Sequence, residues 1–182
     1  MQVAPASIAG SFVIEPQAFP DARGYFLECW RADAYRAAGI DADFVQDNES
    51  CSSYGVVRGL HYQAGAAAQA RLVRVISGVV LDVAVDLRRG SPTFGRHAAV
   101  ELSGDNRRQF FIPRGCAHGF AVLSEKAVFA YKCDNYYCPA AERGIRFDDP
   151  ALGIDWRVPA GRAILSPKDL ALPPFAQAEL FD

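Results

Sequence analysis

The sequence predicts an all-β fold, a sandwich or barrel with little helix. Three observations carry this expectation. Glycine and proline, 15 and 11 of the 182 residues, cut the chain into short pieces. Those pieces are rich in Val, Ile, Phe and Tyr, as strands prefer. Several of them alternate in character at period two, with Leu81, Val83 and Val85 set against Asp82, Ala84 and Asp86 as the clearest case. Many short strands at near-regular spacing belong to a sandwich or barrel.

Taken in order, residues 11–14 read as the first strand, and residues 32–38 carry the one helical pattern. Strands follow at 55–62, 71–76 and 79–86. The last two flank Ser77-Gly78, which reads as the turn of a hairpin. Further strands are expected at 97–102, 109–112, 118–123 and 128–133, with a turn near 140–143. From Pro150 onward the chain is proline-rich and is expected to wrap the surface. No repeat, linker or low-complexity block appears, so residues 1–182 are expected to form a single domain with a real core.

Composition excludes several function classes. Nineteen basic against 21 acidic residues give a formal net charge of −2, against general nucleic-acid binding. No apolar run approaches the roughly 18–20 residues that span a bilayer, so no membrane association is expected. Met1-Gln2-Val3-Ala4-Pro5 lacks the charged start and apolar run of a signal peptide, which points to a cytoplasmic protein. Five cysteines (Cys29, Cys51, Cys116, Cys133, Cys138) match no zinc spacing and read as reduced thiols that fill core space. Of the 19 basic residues only Lys126, Lys132 and Lys168 are lysine.

Three histidines are the first candidates for chemistry. His61 and His118 sit in strand-like segments beside glycines, where backbone can approach a ligand closely. His97 has no such surroundings and reads as a packing residue. No His-x-His pair is present, so no metal site is expected. His61 is left as an acid/base candidate, because imidazole titrates near neutral pH. Arg58 lies three residues before His61, and an ideal strand would put the two on opposite faces. They share a cavity only if Gly59 kinks or bulges the strand. The tyrosines near Tyr131, Tyr136 and Tyr137 give no basis for choosing among them. Asp169 has the chemistry to orient a histidine, but nothing in the sequence brings it near His61.

Ten segments in order resemble the dTDP-4-dehydrorhamnose 3,5-epimerase family. They are Asp21-Ala22-Arg23-Gly24-Tyr25-Phe26-Leu27-Glu28, Phe44-Val45-Gln46-Asp47-Asn48-Glu49-Ser50 and Gly55-Val56-Val57-Arg58-Gly59-Leu60-His61-Tyr62-Gln63. Next come Leu72-Val73-Arg74-Val75, Leu81-Asp82-Val83-Ala84-Val85-Asp86-Leu87-Arg88, Ser91-Pro92-Thr93-Phe94-Gly95, and Ile112-Pro113-Arg114-Gly115 with Ala117-His118-Gly119-Phe120. Tyr131-Lys132-Cys133-Asp134-Asn135, Asp149-Pro150 with Asp155-Trp156, and Leu165-Ser166 with Lys168-Asp169 complete the series. It covers nearly the whole chain.

The resemblance implies a cupin-type jelly-roll β-barrel with short peripheral helices, free of metal and cofactor. It implies a homodimer in which N-terminal strands are exchanged. The implied activity inverts C3 and C5 of dTDP-4-dehydro-6-deoxy-D-glucose through an enolate. By carry-over, His61 is the base, Asp169 its orienting carboxylate and Tyr131 the acid, with His118 and Arg71 near the C4 oxygen. Arg23, Phe26, Glu28, Gln46, Asn48, Arg58, Glu142 and Lys168 would bind the nucleotide sugar, and Tyr137 would stack on the base. Two positions depart from the family: Arg71 stands where lysine is usual, and Cys116 where an aromatic is usual. The alternatives are a relative that inverts only C3 or only C5, one that accepts another nucleoside-diphosphate 4-keto-deoxysugar, a non-catalytic sugar-binding cupin, and a metal-dependent cupin.

Overall fold

The computed structural model describes residues 1–159 and 161–182. In chain order the strands are β1 (Gln2–Pro5), β2 (Phe12–Glu15), β3 (Ala18–Asp21), β4 (Gly24–Leu27), β5 (Gln46–Ser53), β6 (Val57–Gln63) and β7 (Arg71–Ser77). They continue with β8 (Val79–Asp86), β9 (His97–Ser103), β10 (Gln109–Ile112), β11 (Cys116–Val122), β12 (Lys126–Cys133) and β13 (Glu142–Gly144). Two short helices, α1 (Ala32–Ala37) and α2 (Pro167–Leu170), lie outside the sheets. The all-β expectation holds, and α1 falls where the helical pattern is.

Two sheets face one another. One has the order β1-β2-β10-β7-β12-β5 and the other β13-β6-β11-β8-β9. From β5 to β13 the chain passes repeatedly between them, as in a jelly roll. Between the sheets lies a core of Val73, Val75, Ala84, Phe110, Ile112, Phe120 and Phe129. The outer face of the five-stranded sheet is covered by the chain after β13, where Leu152 and Trp156 pack on Leu81, Val83 and Val85. The outer face of the six-stranded sheet carries Tyr35, Ile40, Leu72 and Phe111.

The hairpin expected at Ser77-Gly78 is not formed. β7 pairs with β10 and β12, whereas β8 pairs with β9 and β11 in the opposite sheet. The Ser-Gly step is therefore a corner between sheets. Gly78 (φ +84°) fits there because a Cβ would lie 2.1 Å from the Lys126 carbonyl oxygen. Local alternation is satisfied by any partner that covers the apolar side, and here the partners are distant in sequence.

The carboxylates of β8 also face inward. Asp82 and Asp86 are fully buried, because the apolar side of the strand is occupied by the C-terminal wrap. Burial would raise Asp86, but donors from Arg88, Ser91 and Thr93 hold it at about 2. That explains the Ser91-Pro92-Thr93 segment: its hydroxyls satisfy a buried charge. In the C-terminal wrap, Asp149 accepts from the Ala151 and Phe175 amides, and Trp156 donates to the Phe147 carbonyl. Cys116 is a core residue whose thiol is pushed up to about 12 by burial, so it remains a packing group. All five cysteines are unpaired.

Several elements had no sequence signal. β5 reads Gln-Asp-Asn-Glu-Ser-Cys-Ser-Ser, with no apolar face at all. It is a strand because it pairs along its full length with β12, from Gln46 opposite Cys133 to Ser53 opposite Lys126. The β3–β4 hairpin stands apart as its own two-stranded sheet, with Phe19, Tyr25 and Phe26 exposed. The residues near 140–143, expected as a turn, form a short 3₁₀ turn and then β13, which pairs with β6.

Gly59 bulges β6. His61 pairs with His118 and Arg58 with Phe120, so Gly59 and Leu60 together oppose the single residue Gly119. Gly59 has φ +116°, and a Cβ there would lie 2.6 Å from the Gly119 Cα. The extra residue changes the phase of the strand and turns Arg58 and His61 toward one cavity. Gly59→Ala should lower the unfolding free energy by about 2 kcal/mol or more in denaturant titrations, through backbone strain and the clash. A loss within about 0.5 kcal/mol, the range of neutral surface substitutions, would contradict this close approach.

Candidate active site

The space between the sheets is apolar at one end and polar at the other. The polar end is a cavity lined by Asn48, Ser50, Arg58, His61, Arg71, His118, Phe120, Phe129, Tyr131, Ser166, Lys168 and Asp169. It continues into a cleft that shares Asn48, His61, Arg71 and Tyr131 and adds Gln46, Gln63, Gln69, Cys133, Tyr137 and Glu142.

His61 and His118 come from neighbouring strands of the five-stranded sheet, directly paired in register. Tyr131 and Arg71 come from β12 and β7 of the opposite sheet. Tyr131 pairs with Val73 and Cys133 with Arg71, so the two functional side chains are diagonal neighbours on one face. β5 adds Gln46, Asn48, Ser50 and Ser52 to the same wall, since its even positions are the less exposed ones.

His61 Nε2 lies 2.5 Å from Asp169 Oδ1. Asp169 is buried and belongs to α2, whose start is built to hold it. Ser166 caps the helix by accepting from the Asp169 amide at 3.1 Å, and its hydroxyl donates to Asp169 Oδ2 at 2.8 Å. With Pro167 in the first turn, the short helix has a well-formed N-cap. One carboxylate oxygen is thus taken by Ser166 and the other by His61. His61 Nδ1 has no partner among the described residues and is left for a ligand. Burial lowers the pKa of His61 below the usual imidazole value, with the Asp169 charge working against it, so the ring is a neutral base at physiological pH.

Tyr131 is half-buried, and its hydroxyl makes no hydrogen bond among the described residues. Burial raises its pKa, with Arg71 opposing, so the phenol keeps its proton. Arg71 reaches across from its own sheet and donates to His118 Nδ1 at 3.0 Å. His118 Nε2 in turn lies 2.9 Å from Asp82 Oδ2, and both residues are buried. At the mouth, Glu142 receives Tyr137 Oη at 2.6 Å and Lys168 Nζ at 2.6 Å. Burial would raise Glu142, yet these two donors hold it below the ordinary carboxylate range. Arg58 donates to Ser52 Oγ at 3.1 Å.

Most of the residues singled out in the sequence therefore meet in one place. Arg23, Phe26 and Glu28 do not. Arg23 points into solvent and pairs only with Asp21, Phe26 is 70% exposed, and Glu28 pairs with Arg31. His97 lies outside the cavity at the start of β9. Sequence reasoning missed Asp82, Ser50 and Ser166. A carboxylate inside the apolar run of β8 is a usable signal for Asp82, and Ser-Pro-x-Asp is one for the cap. Ser50 has none. Among the described residues, no group of three His, Cys, Asp or Glu side chains gathers as a metal site would.

The profile of the dTDP-4-dehydrorhamnose 3,5-epimerase family matches residues 5–177. The chain belongs to this family. It is 46% identical to the dTDP-4-dehydrorhamnose 3,5-epimerase of Shigella flexneri over 182 residues, covering 100% of this chain and 99% of that one. Its fold matches the crystal structure of the epimerase from Elizabethkingia anophelis NUHP1 with a TM-score of 0.92, at 50% identity and 97% coverage of both chains. The epimerase of Legionella pneumophila Philadelphia 1, solved with dTDP-4-keto-L-rhamnose, gives a TM-score of 0.93 at 49% identity, covering 98% of this chain and 94% of that one. These neighbours are jelly-roll epimerases, so the cupin-type fold class holds.

The His61–Asp169 geometry makes a measurable prediction. In an NMR titration, His61 should show a midpoint below 6.5. Asp169→Asn should move it lower still, because the carboxylate charge acts to raise it. A wild-type midpoint above 6.5 would mean that Asp169 outweighs burial.

Proposed function

We propose that this chain inverts C3 and C5 of dTDP-4-dehydro-6-deoxy-D-glucose to give dTDP-4-dehydro-L-rhamnose. The observation that carries the reading is that a half-buried neutral imidazole and a protonated phenol stand on opposite walls of one cavity. Inversion needs that arrangement. The C4 ketone acidifies the protons on C3 and C5, His61 removes one from one face, and the enolate forms. Tyr131 returns a proton from the other face, so the configuration changes. Asp169 holds His61 in the tautomer that leaves its free nitrogen basic and stabilises the imidazolium once formed. Arg71 supplies positive charge where the C4 oxygen becomes an enolate.

Arg58, Lys168, Gln46, Asn48, Tyr137 and Glu142 surround the cavity mouth, which suits a diphosphate and its nucleoside. In this reading residues 1–182 act as a single domain within a homodimer. Arg23, Phe26 and Glu28 sit on an exposed aromatic and charged hairpin that contributes nothing to the cavity of its own chain. We assign them to the pocket of a partner subunit. No helix among the described residues is long and apolar enough to cross a membrane. A diphosphate does not cross a bilayer unaided, so the reaction belongs where the substrate forms, which we take to be the cytoplasm.

The test is to incubate the protein with dTDP-4-dehydro-6-deoxyglucose in D2O and follow the C3 and C5 protons by NMR. Exchange at both positions is expected. Exchange at one alone would make the chain a restricted C3 or C5 epimerase, and none would overturn the proposal. His61→Ala should reduce exchange by about 100-fold or more, the contribution of a positioned base. Tyr131→Phe should slow inversion more than exchange, because proton removal does not require the acid. Equal loss of both would contradict the assignment of roles.

A further inference from the structure

Among the described residues Arg71 makes one short side-chain hydrogen bond, to His118 Nδ1 at 3.0 Å. Its contacts with the His61 carbonyl and Gln69 Oε1 are both 3.5 Å. A guanidinium has only donors, so Nδ1 must be the acceptor and the ring proton must lie on Nε2. That proton points at Asp82 Oδ2, 2.9 Å away. Both nitrogens of His118 are then committed, and neither carries a proton toward the cavity. His118 is further fixed by the Phe129 ring stacked at 6.1 Å. Asp82 is fully buried, and its Oδ1 has no hydrogen-bond partner among the described residues. Such a group costs stability, and its one side-chain partner among the described residues is the histidine that faces Arg71.

We propose that Asp82 is a positioning residue for Arg71, acting through His118, and that His118 is an acceptor clamping the guanidinium rather than a proton donor to substrate. This rests on the epimerase reading, in which Arg71 faces the C4 oxygen. The clamp crosses from one sheet to the other, so it fixes the guanidinium relative to His61, which neighbours His118 on the far wall. Arg71 keeps its remaining N–H groups for the substrate.

Two measurements test this. The first is the nitrogen-15 spectrum of the wild-type His118 ring, which should show Nε2 protonated and Nδ1 bare. A proton on Nδ1 would overturn the proposal. This holds whether or not the protein turns over dTDP-4-dehydro-6-deoxyglucose, so the two readings fail separately. The second compares kcat, KM and binding of dTDP for three variants. In His118→Asn the amide oxygen occupies the place of Nδ1 and can still accept from Arg71, whereas His118→Phe has no acceptor. His118→Asn should stay within about tenfold of wild-type kcat, and His118→Phe should lose about 100-fold with KM changed little. Asp82→Asn keeps the shape and removes the charge. It should lower kcat by about tenfold with dTDP affinity unchanged. Equal losses in the two His118 variants, or full kcat in Asp82→Asn, would overturn the proposal.

Discussion

The site depends on holding two sheets at a working distance while the space between them stays partly polar. His61 and His118 stand on one sheet, and Tyr131 and Arg71 on the other. In the epimerase reading neither wall could do the chemistry alone, since a base and an acid on one face would return a proton to the side it left. At the apolar end the walls are set by close packing of Phe110, Phe120, Phe129 and their neighbours. At the polar end side chains must replace that packing, and the Arg71–His118 contact spans the gap.

Keeping polar groups in such a space requires that each be paired or reserved for a ligand. Asp169 is paired twice, by Ser166 and His61, and Asp86 three times, by Arg88, Ser91 and Thr93. The groups left without partners are informative by contrast. Among the described residues Ser50 Oγ is buried in the cavity wall with no hydrogen bond, and the free nitrogen of His61 and the hydroxyl of Tyr131 face the same space. Among the same residues Asp169 and Asp86 are saturated, whereas Ser50, His61 and Tyr131 each leave a polar atom open to the cavity, and Asp82 keeps one oxygen unpaired behind it.

The backbone supplies the rest. A regular β6 would put Arg58 and His61 on opposite faces, and the bulge at Gly59 brings both to the cavity. The bulge needs room, which Gly119 provides by having no side chain of its own. Two glycines thus act together on the position of a base and a cation, although neither contributes an atom to the chemistry.

Strands that bury an apolar face were legible from the sequence, as was α1, because period and composition are local properties. Gly59 was legible as the condition for a shared cavity, since an ideal strand sets Arg58 and His61 on opposite faces. The family motifs named most of the site residues in advance. What tertiary structure decided is which elements meet. Ser77-Gly78 looks like a hairpin turn and is a corner, because β7 pairs with β10 and β12 while β8 pairs with β9 and β11 in the opposite sheet. β5 has no apolar pattern, and only its pairing with β12 makes it a strand. Asp169 reaches His61 across 108 residues because the C-terminal wrap covers the five-stranded sheet and sets one turn of helix at the cavity on its way. Those outcomes depend on long-range burial and pairing, which no local window of sequence contains.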